Sequence, residues 1–286
     1  MKVQPFKIPK PVQYNLIIQV DKGDTFYPLL HQHEEIQVSC VLSGQGKLIV
    51  SDSINPFTSG DIFVIGGQSP HLFQSATGGN RAYMISLFFT LESFGKGFFE
   101  VPELSEVNLF YDTIGGGIKI CSKLKSIRKI METLPKASKF ERFLHFLRLI
   151  QKINAAKKRE LAAFVSRKKI SHTEGKRLQL VFEYVMNHFD KEITLSDIAM
   201  RSHMTPPSFC RFFKQHTNKT FFEFLMELRI SHSCELLAGP LELPIAEIAE
   251  KSGFNSVSHF NRSFKRIKKM TPSSFKGKMT VATNYQ

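Results

Sequence analysis

Two stretches decide how this chain folds: Thr194-Leu-Ser-Asp-Ile-Ala199, running on through Thr205-Pro-Pro-Ser208 to Phe209-Cys-Arg-Phe-Phe-Lys214, and Pro244-Ile-Ala-Glu-Ile-Ala249, running on to Phe260-Asn-Arg-Ser-Phe-Lys265. The second repeats the grammar of the first about fifty residues later, which makes an internal repeat. Thr194 followed by Asp197 has the hydroxyl and carboxylate of a helix-opening box around Ile198 and Ala199. Thr205 is placed to cap the next helix, and Pro206 stands where a missing N–H is harmless. Phe209, Phe212 and Phe213 supply that helix's inward face, leaving Arg211 and Lys214 outward. Each copy therefore predicts two helices joined by a tight turn. Gly253 occupies the second turn, where a left-handed backbone costs glycine little, and His203 holds the first. Between the copies Phe221, Phe224, Leu225, Leu228, Leu236 and Leu237 describe a long amphipathic helix, and Leu178, Val181, Phe182, Val185 and Met186 mark another before them.

Upstream, Leu16 to about Phe89 reads as short strands broken at Asp21-Lys22-Gly23, Ser43-Gly44-Gln45-Gly46, Ser59-Gly60-Asp61 and Gly78-Gly79-Asn80, the pattern of a sandwich or small barrel. After Gly117 the period becomes helical: Ile120, Leu124, Ile127, Met131 and Leu134, then Phe140, Phe143, Leu147 and Ile150. These two helices either pack on the sheet or form a dimer seam. Arg167 to Gly175 has no apolar face and reads as a linker. The chain divides into residues 1–118, a sensing domain; 119–165, a helical connector that dimerises; 166–175, the linker; and 176–286, an all-α domain.

The 286 residues carry a formal net charge of +14, unevenly distributed: residues 1–118 hold seven basic and eleven acidic side chains, residues 119–286 thirty-two and fourteen. A polyanion such as double-stranded DNA is the partner such clustering suits. Cys40, Cys121, Cys210 and Cys234 show no zinc spacing, and no apolar run approaches a bilayer's width, so a cytoplasmic location without membrane partners is expected.

The combination of Ile198-Ala199, Met204, Phe209-x-Arg211-x-Phe213-Lys214, Arg229, Ile248-Ala249, Gly253-Phe254, Phe260-x-Arg262-x-Phe264-Lys265 and Thr271-Pro272 resembles the AraC/XylS family of transcription regulators over residues 176–277. The resemblance implies tandem helix-turn-helix units whose base-facing positions fall on Pro207, Ser208, Cys210 and Arg211 in the first recognition helix and on Val257, Ser258, His259 and Arg262 in the second. Arginine forks to guanine, and valine touches a thymine methyl. Lys214 and Lys265 would meet phosphate. The alternative for either arginine is pairing with Asp197 or Glu250. Where the family has glycine after each recognition helix, this chain has Asn218, which takes a left-handed cap readily, and Lys269, which does so poorly.

His31-Gln-His33-Glu-Glu-Ile-Gln37, with Gly60-Asp61 and Ser69-Pro-His71, resembles the cupin barrel at the front of many family members. The fold class implied is α+β and multidomain: a cupin-like barrel, a helical connector and an all-α reading domain. His31, His33, Gln37 and His71 would line a pocket for a small-molecule effector such as a sugar or related metabolite. Gln37 stands near a metal-binding cupin's glutamate, and a neutral amide is a poorer transition-metal ligand, so no metal or other cofactor is assigned. An enzyme built on His31, His33 and His71 leaves the tandem unit unexplained, and a constitutive nucleic-acid-binding protein leaves the barrel unexplained. The function expected is an effector-controlled activator, a homodimer that engages RNA polymerase.

Overall fold

The computed structural model describes residues 15–76, 81–104, 110–111, 114–162, 171–239 and 241–283. The chain divides into two compact units, Met1–Gly175 and Lys176–Gln286. Gly78-Gly79-Asn80 and most of the expected linker lie outside the described residues.

In the first unit, strands β1 (Ile17–Gly23), β2 (Ile36–Ser43), β3 (Gly46–Val50), β4 (Ser53–Phe57), β5 (Ile62–Ile65), β6 (His71–Ser75) and β7 (Ala82–Phe89) follow one another; Asp21 to Gly23 end a strand instead of turning. β8 (Ile118–Ile120) precedes helices α1 (Leu124–Thr133) and α2 (Lys139–Asn154), and β9 (Lys158–Glu160) follows them. The strands form two sheets and not a closed barrel: a six-stranded sheet ordered β1-β7-β2-β5-β8-β9 and a three-stranded sheet ordered β4-β3-β6. A short bridge joins His31 to His71, each donating its N–H to the other's carbonyl at 3.0 and 2.9 Å. The strand-forming run Ile36 to Leu42 is buried throughout, which suits a central strand with both faces covered.

The first unit corrects two expectations. Ile120 belongs to a strand, because Ile118 to Ile120 pair with β5 and β9 before any helix begins. Second, α2 turns Phe146, Leu149, Ile150 and Ile153 inward while Phe140 is 70% exposed. The inward faces of both helices join one apolar core with Val38, Cys40, Leu87 and Phe89 of the larger sheet. Phe140 and Leu144 remain exposed beside half-buried Phe143 and Leu147.

The second unit is helical: α3 (His172–His188), α4 (Leu195–Arg201), α5 (Pro206–Thr217), α6 (Phe221–Ala238), α7 (Ile245–Lys251), α8 (Val257–Lys268) and α9 (Pro272–Thr283). α3 starts inside the expected linker because Ser171 and Glu174 cap it reciprocally: Glu174 N–H donates to Ser171 Oγ and Ser171 N–H to the carboxylate. α6 buries Phe224, Leu225 and Leu228 and also Ile230, Ser233 and Leu237, so it is covered on more than the single face of an amphipathic helix. Phe182, Phe209, Phe213, Phe221 and Phe224 meet in a chain of edge-on and tilted rings with centroids 5.2–6.2 Å apart. Ile230, Leu237, Ile248, Phe254, Phe260 and Phe264 form a second cluster at the other end of α6.

Candidate nucleic-acid interface and sensing pocket

The first unit brings all four predicted pocket residues together. Gln37 comes from the start of β2, His71 from the start of β6, and His31 and His33 from the approach to β2. Each imidazole has its Nδ1 beside a backbone carbonyl two residues away: His31 with Leu29 at 2.8 Å, His33 with Glu35 at 2.9 Å and His71 with Ser69 at 2.8 Å. Gln37 Oε1 lies 3.1 Å from His33 Nε2 and 2.9 Å from His71 Nε2. Beneath it Gln37 Nε2 donates to Ser39 Oγ at 2.8 Å, and Ser39 and Ser86 share a hydroxyl hydrogen bond of 2.9 Å. Burial pushes His31 down to about 4 and lowers His33 and His71, whose charged forms the neighbouring imidazoles further oppose in His31 and His71. The pocket therefore holds three neutral imidazoles at neutral pH. Sequence reasoning missed Glu35, Ser39 and Ser86. The period-two spacing of Gln37 and Ser39 along one strand was the available signal.

In the second unit the two helix pairs share one backbone design. Met204 N–H donates to Ala199 O at 2.9 Å, and Phe254 N–H to Ala249 O at 3.0 Å; the residues before them, His203 and Gly253, are both left-handed with φ of 55° and 80°. A Cβ on Gly253 would lie 2.6 Å from Phe189 O and 2.8 Å from Arg229 Nε, so glycine is needed there for space as well as torsion. Thr194 and Asp197 form the expected reciprocal cap. Thr205 does not cap α5: its hydroxyl donates to Ser208 Oγ at 3.1 Å. Ser256 caps α8 instead, accepting from His259 N–H at 3.4 Å. Asn218 and Lys269 end α5 and α8 in the same left-handed conformation, φ 56° and 59°, so the lysine does not alter the cap.

Pro207, Cys210, Arg211 and Lys214 are exposed along α5, with Ser208 half-buried at its start; Val257, Ser258, His259, Arg262 and Lys265 are exposed along α8. Among the described residues neither Arg211 nor Arg262 is ion-paired, and Asp197 is engaged by Thr194. Two guanidinium groups thus stand free at matching positions of two solvent-facing helices.

A family model described as a helix-turn-helix domain matches residues 198–278, a span that takes in both helix pairs. The HTH-type transcriptional regulator YdeC of Bacillus subtilis (strain 168) is 28% identical over 256 residues, covering 87% of this chain and 86% of that protein. The chain belongs to the AraC/XylS family. Another relative, the HTH-type transcriptional activator RhaR of Mannheimia succiniciproducens, is 21% identical over 87% of each chain. The crystal structure of ToxT from Vibrio cholerae O395 covers 93% of this chain and 98% of its own at 15% identity, with a TM-score of 0.37. As an AraC/XylS protein the chain is a DNA-binding transcription regulator and not an enzyme, which removes the catalytic reading of the three histidines. Among the described residues no helix is long and apolar enough to cross a membrane.

Proposed function

We propose that this AraC/XylS protein is a sequence-specific activator in which both helix pairs act as helix-turn-helix units and a small effector controls them from the first unit. The observation that carries the reading is the pairing of free Arg211 and Arg262 on the exposed faces of α5 and α8, each backed by a buried phenylalanine cluster that fixes the helix. Base-edge readout falls to Pro207, Ser208, Cys210 and Arg211 in one groove opening and to Val257, Ser258, His259 and Arg262 in the next, with Lys214 and Lys265 on phosphate. The cupin-like region takes the effector, a sugar or related metabolite, at His31, His33, Gln37 and His71. The exposed Phe140 and Leu144 on α2 support pairing of two chains through residues 119–165. The activator name of the Mannheimia relative supports activation through RNA polymerase, in the cytoplasm.

Footprinting on operator DNA tests the core of this reading. One monomer should protect two blocks of different sequence about 10 to 10.5 base pairs apart. Log affinity should fall with log salt by about 0.9 per phosphate neutralised. Protection of a single groove opening per monomer would leave α8 as the reader and α5 as packing. A reporter on the mapped operator, assayed across monosaccharides and sugar alcohols, tests the sensing half: a response in the wild type that Gln37→Leu abolishes supports the pocket, and an unchanged response in that variant rejects it.

A further inference from the structure

The hydrogen bonds around Gln37 do not close among neutral groups as they are placed. His33 faces an oxygen at each ring nitrogen, Glu35 O at 2.9 Å and Gln37 Oε1 at 3.1 Å, and His71 does the same with Ser69 O at 2.8 Å and Gln37 Oε1 at 2.9 Å. A neutral imidazole has one proton and cannot donate to both. Burial disfavours the imidazolium that could, so each ring gives its Nδ1–H to the carbonyl and turns an Nε2 lone pair toward the amide oxygen. Lone pairs converging on one another repel unless a cation lies between them.

His31 completes the set: its Nδ1 is also beside a carbonyl, and the ligand atoms of the three rings lie within 4.8 Å of one another. Imidazoles that bind metals characteristically donate their other N–H to a carbonyl or carboxylate, which fixes tautomer and orientation. The carboxylate is present as well: buried Glu35 places an oxygen 3.7 Å from His33 Nδ1, a negative charge just behind the ring. Half-buried His31 opens the cluster to solvent and gives an ion a way in.

We propose that His31, His33 and His71 bind a divalent transition-metal ion through Nε2, with Gln37 Oε1 as the fourth ligand. Imidazole with a neutral oxygen suits borderline ions of the Fe²⁺ to Zn²⁺ series and disfavours Mg²⁺ and Ca²⁺. At metal–nitrogen distances of about 2.0–2.1 Å a tetrahedral site needs nitrogens about 3.4 Å apart, so the rings close inward slightly on binding. Because the imidazoles are already neutral, no proton has to be displaced at neutral pH. Without the ion, the amide turned about its last torsion satisfies the pocket: its two N–H groups donate to His33 and His71, and its oxygen accepts from Ser39. Gln37 thus serves as ligand in one state and as a stand-in for the cation in the other. The sequence reading set the glutamine against a metal; its geometry makes it the fourth donor. This inference rests on that pocket being a binding site and not on what occupancy does to DNA binding.

The test uses the full chain, purified without a histidine tag, stripped with chelator and titrated with Co²⁺ and then Zn²⁺. One equivalent of Co²⁺ should bind with visible d–d absorption and be displaced by Zn²⁺. His31→Ala, at the half-exposed edge, should weaken Co²⁺ binding at least about tenfold with the melting temperature unchanged, the size of effect that loss of even an outer-shell partner produces. Gln37→Glu, which supplies the carboxylate, should tighten it. Absence of a saturable one-equivalent site in the wild type overturns the proposal in favour of the turned amide, as does binding by His31→Ala at wild-type strength. Operator binding measured with and without Zn²⁺ separates the two readings: metal bound without effect on DNA leaves this site standing and removes the ion from the sensing role, whereas an intact sugar response with no metal bound does the reverse.

Discussion

The first helix pair, α4 and α5, and the second, α7 and α8, reach one backbone design from different residues. Thr194 and Asp197 open α4 with a reciprocal cap, while Pro244 opens α7 with no side-chain bond. Thr205 leaves α5 without a side-chain cap, while Ser256 caps α8. Ser202 Oγ donates to Ile198 O and Ala199 O, whereas the buried Ser252 Oγ finds no partner among the described residues. What the pairs share is the buried Ile-Ala dipeptide, the left-handed turn residue and the inward phenylalanines 209 and 213 or 260 and 264. Packing and turn torsion therefore carry the design, the caps are interchangeable increments, and the exposed faces are left to diverge.

The comparison breaks most visibly if its buried rings are unequal. Phe213→Ala and Phe264→Ala each remove a fully buried ring and should each cost about 3–5 kcal/mol, read from urea unfolding of the full chain with hydrogen exchange to locate the loss. A cost under half of that in one copy would mean that copy is held by something else. Next comes the turn. Gly253→Ala should cost roughly 2–4 kcal/mol from left-handed strain plus overlap with Phe189 and Arg229, and His203→Ala, exposed and already at φ 55°, under about 1 kcal/mol. Equal costs would show that the two turns are not held in the same way.

For readout, Arg262→Ala should weaken cognate operator binding by about 1–3 kcal/mol and relax preference at one base pair, and Arg211→Ala should do so at a pair in the other block. A uniform loss over all sequences moves that arginine to phosphate. The smallest effect is at the caps: Lys269→Gly relieves a left-handed lysine and should raise stability by up to about 1 kcal/mol, while Asn218→Gly should change it by a few tenths at most, both by thermal melting.

The repeat was legible because its signals are local: a hydroxyl and a carboxylate three apart, a proline at a helix start, phenylalanines at helical spacing. The pocket residues were legible as a group because His31, His33 and His71 are close in chemistry even where far apart in the chain. What escaped needed a partner from elsewhere. Ile120 fits a helical period as well as a strand does, and only pairing with β5 and β9 separates the two. The start of α3 was hidden because Gly175, a turn signal, lies inside a helix that Ser171 and Glu174 cap. The two-sheet arrangement depends on strand pairing at long range, which composition does not encode.

Arg229 sits in the second half of the helix that both copies share, and its guanidinium donates from Nε to Phe189 O and from Nη2 to Lys191 O, each at 2.7 Å, beside the turn at Gly253. The carbonyls just after α3, the shared helix and the second turn are thereby pinned at one point. A body pinned in this way is a gauge of fixed length. If both helices read DNA, an operator with one base pair inserted between its blocks rotates the second by about 34–36° and moves it about 3.4 Å along the axis, and the monomer has no joint with which to follow. Spacing would then be selected as strictly as sequence, at bases the protein never touches.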